Sequence, residues 1–157
     1  MPSLKLALLA LAALAALGTV SVLAEDAAPV VVDPAIATMT VDQKVEARQK
    51  AMKEDGGVLR GAMKATGADA AKIATTVLQN FTNFPALFAD KATNSKSDAL
   101  PIIWDQFDQF TAIVDEGKLA ATKMREAALS GDKGLYSDAF QALAATCNEC
   151  HQTYRGH

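Results

Sequence analysis

Three residues within T-C-N-E-C-H-Q-T-Y-R-G, residues 146–156, have the types and spacing to do chemistry together: Cys147, Cys150 and His151. They form C-x-x-C-H, the spacing used for covalent attachment of haem c. On a helix, positions i, i+3 and i+4 share one face, so both sulfurs can reach the two vinyl groups of one macrocycle while the imidazole turns toward its iron. Thioether bonds then hold the haem irreversibly, and His151 supplies the proximal ligand whose electron donation helps set the iron's potential. Two other chemistries use such cysteines, a structural disulfide and thiol redox exchange. Redox enzymes place C-x-x-C at the start of a helix after a strand, and no strand pattern precedes Cys147. A zinc site needs at least one more good ligand, and the only other histidine is His157.

The elements that position these residues must be helices. Half of the 157 residues are hydrophobic, and much of that half is alanine, which favours helix, whereas Val, Ile and aromatic residues are too scattered for a sheet. The formal charge of −3 includes no basic run, which argues against a nucleic-acid partner. No nucleophile triad or phosphate loop is present, so an enzyme is not expected.

The chain opens with M-P-S-L-K, one positive charge, followed by the apolar run L-A-L-L-A-L-A-A-L-A-A-L-G-T-V-S-V and by Val22-Leu23-Ala24. This reads as a secretory signal over residues 1–24, cleaved after Ala24, and so as export; the alternative is a retained membrane anchor. Residues 25–39 hold two prolines and no helical period and are expected to form an extended leader. Residues 40–157 show four amphipathic segments, predicting an all-α domain, an antiparallel four-helix bundle.

The first segment begins at a Thr40–Gln43 capping box and places Val45, Met52, Leu59 and Met63 on one side. Gly56 and Gly57 interrupt it, which predicts a bend or a bulky neighbour. The second starts near Asp69 as N-cap, carries Ile73, Val77, Leu78, Phe81 and Phe84, and meets a kink or end at Pro85. The third enters through Asp98 and Pro101 and shows Ile103, Trp104, Phe107, Phe110, Val114 and Leu119. In the fourth, Tyr136, Phe140, Leu143, Cys147, Cys150, His151 and Tyr154 share a side. Met63 and the phenylalanines are read as core and haem-pocket walls, Met124 could reach an iron but its helix face gives no special reason for it to, and Trp104 is read as structural, sealing an end of the bundle or lining the cavity.

C-N-E-C-H-Q-T-Y-R, Arg48-Gln49 followed by Met52, and Pro101-Ile102-Ile103-Trp104 together resemble the cytochrome c′ family, including its low-spin cytochrome c-556 relatives. The resemblance runs from about Thr38 to Arg155. It implies a bacterial periplasmic protein whose single haem c lies inside the bundle, fixed to the last helix and covered by the first, and it implies a homodimer through the first two helices. It places Cys147 and Cys150 on the thioethers, His151 on the iron, Arg155 beside the proximal imidazole and Arg48 at a haem propionate.

The resemblance also places Met52 where the first helix faces the iron. Its thioether either binds as sixth ligand, giving an electron carrier that serves a periplasmic redox partner protein, or packs as an apolar lid over an iron open to nitric oxide or carbon monoxide. M-K-E-D-G-G, residues 52–57, resembles the low-spin relatives and favours ligation. A haem-free helical protein with a Cys147–Cys150 disulfide is the remaining alternative.

Overall fold

The computed structural model describes residues 29–156. Signal peptide, cleavage site, residues 25–28 and His157 lie outside the described residues. The segment expected to be extended contains a 3-10 helix, Pro34–Thr38. The Asp33 side chain accepts from the Ala35 amide at its start, and a proline at the first helical position costs no hydrogen bond.

Five α-helices follow: α1, Val41–Ala62; α2, Gly67–Phe88; α3, Ile102–Asp105; α4, Phe107–Ser130; and α5, Lys133–Tyr154. The four long ones form the bundle. Helix α1 starts where the sequence places it, because Thr40 Oγ accepts from the Gln43 amide at 3.3 Å and Gln43 Oε1 accepts from the Thr40 amide at 2.8 Å. It runs through Gly56 and Gly57 without interruption, and a Cβ at either would meet nothing within 4 Å. At the start of α2 the N-cap position falls at Thr66, without a side-chain cap hydrogen bond, rather than at Asp69, which sits in the first turn, and the helix continues three residues past Pro85 to Phe88. The third segment is divided: Gln106, at φ −126° and ψ 41°, separates one turn of helix from α4. Asp132 caps α5 by accepting from the Leu135 amide.

Helix α2 packs on α4, α4 on α5 and α1 on α2, whereas α1 and α5 lack close backbone packing. Three sides of the bundle are thus joined by helix contact. The core between them is largely Ala, with Val77, Phe81, Phe84, Phe88, Phe110, Val114, Met124 and Leu143 filling it. Two expected core residues are not there: Met63 caps the end of α1 at 52% exposure, and Leu119 is 55% exposed on the outer face of α4. Trp104 closes one end by donating its indole N–H to the Phe88 carbonyl at 2.7 Å, and it borders neither central cavity.

Candidate haem site

The side between α1 and α5 holds two adjoining cavities of about 420 and 310 Å³. Both are bordered by Met52 from α1, Phe110 from α4, and Cys150 and His151 from α5, so they are halves of one slot. Cys147 borders the smaller half with Phe81, Phe84 and Phe140, while Arg48, Phe88, Ile103, Tyr154 and Arg155 border the larger. Helical spacing brings Cys147, Cys150 and His151 to this face, as the sequence predicts, and both cysteines are free and half-buried.

Burial sets the chemistry of these groups. It pushes the Cys150 thiol up to about 11 and raises Cys147 as well, with the Asp55 charge as a second cause at Cys147. His151 is held below the ordinary histidine range, first by burial and then by the Arg155 cation, so its imidazole is neutral and its ring nitrogen is free to donate to a metal. Among the described residues no cluster of three His, Cys, Asp or Glu side chains is arranged to hold a metal ion. An apolar slot with two thiols and one neutral imidazole on a single wall fits a covalently held haem.

Arg48 is not a surface residue. It is 3% exposed, and burial lowers its guanidinium to about 10, still cationic at neutral pH. Its Nη1 donates to the carbonyls of Leu87, at 3.3 Å, and Ala92, at 2.5 Å, and its Nη2 donates to Ser97 Oγ at 2.7 Å. The guanidinium carbon also lies 4.3 Å from the centroid of the Phe88 ring. Between Leu87 and Ala92 the backbone turns through two positive φ angles, 59° at Asp90 and 50° at Lys91. Arg48 thus clamps the turn leaving α2 while bordering the slot.

Arg155 does not extend α5 by another turn. The helix ends at Tyr154, and Arg155 is extended at φ −112° and ψ 131°. Around it the Leu100 amide donates to the Tyr154 carbonyl at 2.9 Å and the Gly156 amide to the Asp98 carbonyl at 2.7 Å, a short antiparallel bridge. Its guanidinium is 3.8 Å from Asp98 and still borders the same cavity as His151.

One buried polar pair escaped the sequence reading. Asp55 is 6% and Asn80 8% exposed, and Asn80 Nδ2 donates to Asp55 Oδ1 at 2.7 Å and to Glu54 Oε2 at 3.2 Å. Asp55 falls on the inward stripe Val45, Arg48, Met52, Asp55, Leu59, and a carboxylate on such a stripe is the signal that would have found it.

Residues 42–155 match the family model described as Cytochrome C′. The chain belongs to the cytochrome c′ family. Among relatives, a cytochrome c-556 of Agrobacterium tumefaciens is 37% identical, covering 71% of this chain and 96% of the relative. A cytochrome c′ of Pararhodospirillum photometricum is 30% identical, covering 71% and 94%. The solved nitric oxide complex of a variant cytochrome c′ from Alcaligenes xylosoxidans superposes with a TM-score of 0.67 at 22% identity, over 75% of this chain and 98% of that one. Cytochromes c′ carry covalently bound haem c, so this chain is a haem c protein with a four-helix-bundle fold, and the haem-free disulfide alternative is set aside.

Proposed function

We propose that the chain is a periplasmic one-electron carrier in which Cys147 and Cys150 hold the haem, His151 binds its iron and Met52 is the sixth ligand. The observation that carries this reading is the placement of Met52: from α1 it borders both halves of the slot that His151 borders from α5. When bound, the haem supplies the one-electron ferric–ferrous chemistry. A neutral imidazole and a neutral thioether both tolerate the ferrous state, which raises the potential. Phe81, Phe84, Phe88 and Phe110 exclude water from the slot and act in the same direction. The chain itself contributes no catalytic residue; electrons pass to and from a redox partner protein.

A second reading rests on the nitric oxide complex of the Alcaligenes protein. In it Met52 is an apolar lid, and nitric oxide or carbon monoxide takes the sixth position. The ferrous visible spectrum with and without carbon monoxide separates the two: a low-spin spectrum that the gas leaves unchanged supports the carrier, and a high-spin spectrum that shifts supports gas binding.

Attachment is tested by acid-acetone extraction, in which haem should stay with the polypeptide; release would remove Cys147 and Cys150 from their role. Export is tested by N-terminal sequencing of the periplasmic protein, with a start at Glu25 expected and a start upstream of Leu23 counting against it. The homodimer belongs to the same reading and is supported by a solved cytochrome c′ described as showing ligand-controlled dimer dissociation, at a TM-score of 0.69.

A further inference from the structure

Asp55 is the one buried carboxyl in the slot wall among the described residues. Its surroundings do little to hold its charge. None of the ion pairs among the described residues includes it. From α1 the facing charged group is Glu54, of like sign; from α2 it is Asn80, a neutral donor; from α5 it is Cys147, which carries no charge as a thioether. Lys72 of α2 and Arg125 of α4 border the outer groove beside Glu54 and Asn80, away from the slot. Burial pushes the Asp55 carboxyl up to about 7, the Asn80 hydrogen bond opposes that rise, and Glu54 adds to it. Near neutral pH a small change in local charge therefore decides whether this group holds a proton.

Such a change accompanies every turnover of a haem. Reduction removes one unit of positive charge from the iron, and a unit charge at ~10 Å in a medium of effective dielectric about 20 alters a carboxyl's proton affinity on the order of tenfold. We propose that Asp55 is a redox-linked proton acceptor: it binds one proton from water as the iron accepts one electron from a one-electron donor, and releases that proton on reoxidation. Charge inside the slot is then partly balanced, since part of the charge entering the iron is offset by proton uptake on the carboxylate. Exposed Glu54 and Gly56 flank Asp55 in the chain and give the carboxyl a nearby solvent boundary. The proposal rests on haem attachment at Cys147 and Cys150 and is independent of Met52 ligation.

The test is a spectroelectrochemical titration of the holoprotein between about pH 5 and 9, together with a reduced-minus-oxidised infrared spectrum. A pyridine haemochrome assay on the same sample establishes attachment first, so failure there is distinct from failure of Asp55. In the unmodified protein the midpoint potential should fall as pH rises through neutrality, with a slope that peaks at about half a proton per electron for a tenfold change in affinity, and a protonated-carboxyl band should appear on reduction. Asp55→Asn should lose that slope, hold a potential near the acidic plateau of the unmodified protein and lack the band, while Glu54→Gln should keep both. A pH slope shared unchanged by Asp55→Asn overturns the proposal. If Asp55→Asn does not fold, Asn80→Ala decides: losing the donor to the ionised form should move the inflection to higher pH, and an unmoved inflection overturns the assignment.

Discussion

A Cβ added to Gly117 of α4 would lie 1.9 Å from Cε1 of Phe81, so the missing side chain is what admits this ring of α2 between the helices and into the slot wall. Gly117→Ala should lower stability by about 1–2 kcal/mol, because the overpacking cost exceeds the roughly 1 kcal/mol that alanine gains over glycine in a helix. Denaturant unfolding measures it. A more stable Gly117→Ala protein would mean that Phe81 can leave the interface freely.

The Arg48 clamp gives a larger effect. Arg48→Met removes the donor to two carbonyls and one hydroxyl at a buried site, and each orphaned group costs about 1–3 kcal/mol. A loss of about 3 kcal/mol in urea unfolding is expected. A loss below about 0.5 kcal/mol would be the signature of an ordinary surface arginine.

Met52→Ala removes the thioether that borders both halves of the slot. The reduced protein should change from low-spin to high-spin and begin to bind carbon monoxide, with its midpoint potential lowered. Identical reduced spectra before and after substitution would place the sulfur off the iron.

Asp55 also ties folding to pH. Its folded value of about 7 lies above its ordinary value of 3.8, so between those two pH values the folded protein binds more protons than the unfolded chain, and stability falls as pH rises through that window. The fall is complete above about pH 7 and amounts to at most about 4 kcal/mol, at 1.36 kcal/mol per pH unit. Asp55→Asn should flatten the curve from pH 4 to 7 when unfolding is followed by circular dichroism, and an unaltered curve would show that the carboxyl is solvated.

Local rules made the helices and the attachment face legible. The Thr40 capping box and the i, i+3, i+4 spacing of Cys147, Cys150 and His151 act within one or two helical turns, where neighbouring residues decide the outcome. The Gln106 break and the passage of α2 through Pro85 depend on packing against other helices, which overrides local preference. The Arg48 hydrogen bonds were not legible for the same reason: its carbonyl partners lie 39 and 44 residues away. Met63 and Leu119 kept the helical period but fell on parts of α1 and α4 that no neighbour covers.

The side between α1 and α5, bordered by cavity rather than by helix contact, sets the order in which the bundle comes apart. Without haem, α1 is held chiefly by α2 and by the Arg48 clamp, so its amides should exchange with deuterated solvent well before those of α2 and α4. Haem then acts as mortar between the first and last helices. Its attachment should slow exchange along α1 more than in any other helix, joining an element that opens by itself to the unit that opens only on global unfolding.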